Sequence, residues 1–319
     1  MNILTRRATI VIAASAIILF ALHALESQWP PIALWAFVLL SLTLGFGHGA
    51  LDAVLLLEQF QPRIKALAIS VMYLLCVLLA GCAFTWSVPL ALLLLILMSV
   101  WHFGELHSYA LWTRLSVGGA SVMWPVLVAQ NAMSQLVQGT LGPGFSALWT
   151  LWNLLAYCWL FMVLANALYG LTSWIVHRKQ PSNIAQSLKS VHQQQMLWAA
   201  VEIVTLLCAY LVLSPLLAFA MYFGLYHCLV HIARVRRAVQ ASSGFVFSRY
   251  AMAFTASVLI TVVLLMLLWW FLPAKQLLGY DGNAQLQLNQ LMQWLVVSLA
   301  AVTLPHLLLV SYSSRWLGR

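Results

Sequence analysis

Residues 222–231 read YFGLYHCLVH, which puts His227 and His231 four positions apart in a run otherwise made of aromatic, aliphatic, glycine and cysteine residues. On a helix this spacing sets both imidazoles on one face. Such a pair can give two nitrogens to one metal ion. Two further segments pair a histidine with an acid. GFGHGALD carries His48 and Asp52 at i and i+4, and WHFGE carries His102 and Glu105 at i and i+3. The chain has only 6 acidic residues, so finding Asp52 and Glu105 each one turn from a histidine is a pattern rather than scatter. Carboxylates so placed suit a position behind metal ligands, accepting the second imidazole N–H and offsetting the cation's charge.

Four neutral imidazoles, from His48, His102, His227 and His231, suit Fe(II), Zn(II) or Cu better than Mg or Ca, which take oxygen ligands. Ligand type alone leaves those metals open. His306, after the proline in TLPHLLLV, is a candidate ligand or substrate contact, weighed against a structural role. His107 reads as a hydrogen-bonding residue between helices, and His23, His177 and His192 fall at helix ends or in a polar connection. Gly45, Gly47, Gly49, Gly104 and Gly224 lie beside the histidines, where they allow close approach of a backbone or ligand. Trp101, Phe103, Tyr222, Phe223 and Tyr226 can line a slot for an apolar, planar molecule.

The elements that hold these residues are set by composition. The 319 residues are 64% hydrophobic and 7% charged, against roughly a quarter charged in soluble domains. Lipid is the solvent for most of this surface, which excludes an ordinary soluble domain. The 5 cysteines sit inside apolar runs without CxxC spacing, so no disulfide framework or thiolate metal site is indicated. The fold expected is an all-α integral membrane protein: a single polytopic domain over 1–319 of about ten helices (eight to ten). Candidate limits are 8–25, 32–57, 66–86, 89–112, 115–137, 148–176, 196–214, 216–233, 250–272 and 290–312. Ser214-Pro215 divides the seventh from the eighth. The first run, behind Arg6 and Arg7, is read as a retained span rather than a cleaved signal.

Charge supports this arrangement. With the N-terminus in the cytoplasm, every one of the 15 Lys and Arg residues except Lys275 falls on the inner side. That bias expects both termini, and the polar loop at 177–195, in the cytoplasm, and the chain in the cell inner membrane. Because the basic residues sit in short loops, the net charge of +9 is a topology signal and no nucleic-acid partner is expected. In this frame His48, His102, His227, His231 and His306 all lie on even-numbered helices, in the inner half of the bilayer. A shared depth is what a common site requires.

GHGALD, WHFGE, HCLVH and PHLLLV, in this order from about residue 40 to the end, resemble the Brp/Blh family of membrane β-carotene 15,15′-dioxygenases. The resemblance implies a non-haem Fe(II) oxygenase that cleaves the central double bond of β-carotene with O2 to give retinal. It implies His48, His102, His227 and His231 as iron ligands, and a functional link to a retinal-binding rhodopsin. The first helix is additional to a smaller family core, and Cys228, Leu229 and Val230 stand inside the HxxxH motif where a small hydroxyl and a basic residue are expected.

Two other classes use similar residues. A membrane haem-binding electron carrier would place histidine pairs on facing helices, and a metal or proton transporter would relay ions through them. The transporter needs polar groups on both sides of the midplane, whereas the outer half here is almost bare of them. A zinc protease needs Glu where this motif has Cys228.

Overall fold

The computed structural model describes residues 3–45, 47–49, 52, 63–105, 110–141, 145–177, 183–234 and 284–317. Among these, all regular structure is helical. In chain order the elements are α1 (Ile3–Gln28), α2 (Ile32–Leu40), a π-helix π1 (Ser41–Gly45), α3 (Arg63–Trp86), α4 (Val88–Gly104), α5 (Leu111–Val128), α6 (Gln130–Leu141), α7 (Phe145–His177), α8 (Asn183–Val212), α9 (Pro215–Ala220), a second π-helix π2 (Met221–His227) and α10 (Ala284–Leu317). Six stretches among the described residues are long and apolar enough to cross a membrane: Ile32–Gly49, Ala68–Trp86, Ser146–Thr172, Gln194–Val212, Pro215–Arg234 and Met292–Val310. The expected helix 250–272, Lys275 and His107 lie outside the described residues.

Several expected boundaries shift for local reasons. The helix read as 89–112 stops at Gly104, where the Glu105 N–H turns back to the His102 carbonyl at 3.1 Å in an i to i−3 bond. The helix read as 115–137 is two. α5 ends at Val128, with Ala129 outside the helical range at φ −129° and ψ 42°, and α6 begins at once. The polar loop read over 177–195 is helical from Asn183, because NIAQSLKSVHQQQ contains no glycine or proline and runs unbroken into the apolar part of α8. The break at Ser214-Pro215 falls where the sequence puts it. Proline occupies the first position of α9, the Ser214 carbonyl accepts the Ala218 N–H at 3.0 Å, and the Glu26 carboxylate accepts the Ser214 N–H at 3.0 Å.

The chain forms two compact units that interleave in sequence. One comprises Met1–Trp35, Ser99–Ser134 and Trp149–Phe219; the other comprises Ala36–Met98, Gln135–Leu148 and Ala220–Arg319. Both reverse the polarity of a soluble protein. Met72, Leu79 and Phe161 are largely exposed, while Ser116, Ser121, His227 and His306 are buried. That distribution fits lipid outside and hydrogen-bonding partners inside.

In the first unit α5 is the hub, packed against α8. Gly118 and Gly119 make this possible: a Cβ on Gly118 would overlap the Val100 carbonyl, and one on Gly119 would overlap the Trp159 indole. The neighbours donate to α5 carbonyls. Trp159 Nε1 reaches Ser116 O at 3.1 Å, Trp152 Nε1 reaches Val122 O at 3.2 Å, and the Tyr210 hydroxyl reaches Ser121 O. This last bond has a specific cause. Pro125 has no N–H, so the Ser121 carbonyl four residues earlier loses its helical donor, and Tyr210 from α8 supplies one.

Removing that hydroxyl by Tyr210→Phe is expected to cost about 1–3 kcal/mol, since it orphans a buried carbonyl. In a Pro125→Ala background, where position 125 regains a backbone N–H, the same change should cost less than half as much. Thermal unfolding of the detergent-solubilised variants measures both.

Candidate metal centre

The second unit gathers four of the histidines and Asp52. Two irregular helices position them. π1 ends three residues before His48, and π2 ends at His227, after which the helix continues over 228–234 and carries His231. A π turn widens the helix by one residue and rotates the segment beyond it, a device frequent at functional sites. The two π segments pack on each other, and glycines set their approach. A Cβ on Gly45 would lie 2.8 Å from the Phe223 ring, and one on Gly224 would lie 2.6 Å from the Leu40 Cβ. Close approach at Gly45 and Gly224, expected from the sequence, is thus present.

His48, Asp52, His227, His231 and His306 are all nearly inaccessible to solvent. The His48 ring centroid is 5.0 Å from His306, 5.4 Å from His231 and 5.8 Å from His227. His231 lies 5.3 Å from His306, and the two HxxxH rings stack with centroids 6.2 Å apart and planes 13° apart. Imidazoles sharing one divalent ion, with bonds of about 2.1 Å, hold their centroids roughly 4.5–5.5 Å apart. The His48–His306, His48–His231 and His231–His306 separations fall in that range while the two that involve His227 lie beyond it, and imidazole nitrogens are donors that transition metals accept.

Hydrogen bonds fix which nitrogen two of the rings offer. His48 Nδ1 donates toward the Leu44 carbonyl at 3.3 Å, with the Cys228 sulfur at 3.4 Å, leaving Nε2 as the ring's lone-pair nitrogen. His306 Nδ1 donates to Asp52 at 2.9 and 2.8 Å, which likewise makes Nε2 its lone-pair nitrogen. Donor nitrogens of His48 and His306 lie within 4.8 Å of each other. The Tyr73 hydroxyl, from α3, donates to Asp52 Oδ2 at 2.8 Å. The histidine that Asp52 supports is therefore His306, and not His48 one turn away. Tyr73 is a member of this group that the motifs do not mark. Its signal is a lone phenol on the inward stripe of an otherwise apolar helix, where it must find an acceptor.

Aromatic residues flank the cluster unevenly. Phe223 stacks on His227 with a centroid separation of 6.1 Å and stands edge-on to His48 at 6.0 Å. Tyr222 is buried 6.5 Å from His227 and stacks on Tyr226, which is 39% exposed.

The first unit holds His102, buried near the end of α4 with Phe103 beside it at 6.1 Å. Glu105, expected behind His102, forms an ion pair with Arg114 at 2.9 Å. That guanidinium also lies 4.8 Å over the Trp101 ring, so Trp101 is a half-exposed platform for a cation. Gly104 lies against the Arg114 backbone where no Cβ would fit, which draws the start of α5 onto the end of α4.

A match to the family described as Beta-carotene 15,15'-dioxygenase spans residues 39–313, from just before the first π segment to just beyond His306. The chain belongs to this family. A relative from Uncultured marine bacterium 66A03, named Beta-carotene 15,15'-dioxygenase, is 24% identical over 292 residues, covering 88% of this chain and 94% of its own. No solved structure matches. α1 precedes the matched region.

The π1–π2 contact gives a direct test. Gly224→Ala is expected to destabilise the protein by about 1–3 kcal/mol through overpacking against Leu40. The penalty should fall by at least half in a Leu40→Ala background, read as the shift in melting temperature of the purified protein.

Proposed function

We propose that the protein is a membrane-embedded non-haem Fe(II) oxygenase that cleaves β-carotene at its central double bond. O2 adds across that bond, the carbon–carbon link breaks, and one oxygen atom ends in each of two retinal aldehydes. The observation that carries this reading is a buried group of imidazoles inside a lipid-facing helical protein, in a chain of the β-carotene 15,15′-dioxygenase family. The proposed ligands are His48, His102, His227 and His231.

Bound iron would supply the redox chemistry that activates O2. The protein's own residues would do the rest. β-Carotene has no polar group and dissolves in the bilayer, so a site at membrane depth can receive it without passage through water. Phe223 and Tyr222, packed beside His227, offer flat apolar surface to a conjugated chain. Asp52 places a carboxylate behind the His306 ring. Tight packing around the imidazoles keeps water out and holds the reacting bond in one place, which limits cleavage to that bond.

The proposed topology has ten spans, both termini cytoplasmic, in the cell inner membrane, supported by the clustering of basic residues on one side of the apolar runs. Retinal released within the bilayer would pass directly to a retinal-binding rhodopsin.

Pigment analysis of bacteria that accumulate β-carotene tests the reading. Cells expressing the chain should bleach and yield retinal, whereas cells expressing His227→Ala at equal membrane levels should keep their pigment. Persistence of β-carotene with the unaltered protein in the membrane would overturn the proposal. A Soret band in the purified protein would point instead to haem.

A further inference from the structure

We propose that His306 is a fifth imidazole ligand of the same metal, and that Tyr73 and Asp52 are positioning residues that aim it. The inference rests on the iron centre proposed above.

Position is the first argument. The His306 ring is 5.0 Å from His48 and 5.3 Å from His231, closer to each than His227 is, at 5.8 Å and 6.2 Å. A ligand set that includes His227 has no geometric ground for leaving out His306. Pro305 precedes it within α10, so the Ala301 carbonyl lacks its usual helical donor at this level and the helix can bend there.

Orientation is the second argument. Asp52 receives His306 Nδ1 through both oxygens and the Tyr73 hydroxyl through one. Tyr73 stands on α3, which packs along α10. The chain Tyr73–Asp52–His306 therefore fixes the imidazole plane from behind and turns Nε2 away from the carboxylate. A carboxylate paired with the distal nitrogen of an imidazole is the usual support of a metal-bound histidine, and raises its basicity.

The test uses the full-length protein purified in detergent and loaded with Fe(II), with iron content and the paramagnetic resonance spectrum of the nitric oxide adduct as readouts beside retinal formation. His306→Gly should lose most of its iron, and added imidazole should restore iron and the native nitrosyl spectrum by filling the vacated position. Asp52→Asn should weaken iron binding by about 10–100-fold, and Tyr73→Phe should shift it less in the same direction. If His306→Gly retains iron with an unchanged nitrosyl spectrum, His306 is no ligand and the inference fails while the four-histidine centre stands. Loss of iron that imidazole does not restore would assign His306 to folding and also overturn it. Absence of iron from the unaltered protein would remove the centre itself.

Discussion

Lipid offers no hydrogen bonds. Every buried polar group in this protein therefore has to be answered by another part of the chain, and much of the structure derives from that constraint. Pro125 removes a donor from α5, and a tyrosine hydroxyl from α8 restores it. Serine and proline break an apolar run at residue 214, and the Glu26 carboxylate receives the exposed amide. The same rule governs the histidines. An imidazole in hydrocarbon must commit one nitrogen to a local acceptor, and the other is then directed by the geometry of the helix that carries it.

The irregular helices turn this rule into a site. In a regular helix, residues before and after a histidine would stay in fixed register with its neighbours. π1 and π2 each add a residue next to a histidine, and glycines at 45 and 224 let the widened segments meet. The result is dense packing of rings that offer the same atom, Nε2 in the case of His48 and His306. Asp52 is the one carboxylate in that group among the described residues. Its burial is answered by His306 and the Tyr73 hydroxyl.

Much of this was legible in the sequence, and the limits have physical causes. Helical content followed from apolar runs of spanning length. The histidines stood out because a polar residue in such a run needs a reason, and their i,i+4 spacing is local. The break at Pro215 was equally local. What failed to show was long-range or depended on weak terminators. Asp52 pairs with a residue 254 positions away, although His48 stands one turn from it. Glu105 answers to Arg114 of the following helix, although the apolar pattern ran straight through Gly104. The polar stretch 183–195 has good helix formers, and hydropathy alone cannot distinguish a solvated helix from a loop. Tyr73 was hidden by its aromatic ring, which counts as apolar while its hydroxyl does not.

The central claim is that several imidazoles, and no other protein side chains, hold one iron at membrane depth. X-ray absorption at the iron edge of the full-length protein in detergent tests it most directly. The account predicts a coordination sphere of nitrogen and oxygen only, with outer-shell scattering from at least four imidazoles. Scattering from sulfur, which would bring Cys228 onto the metal, or from fewer than three imidazoles, would contradict it.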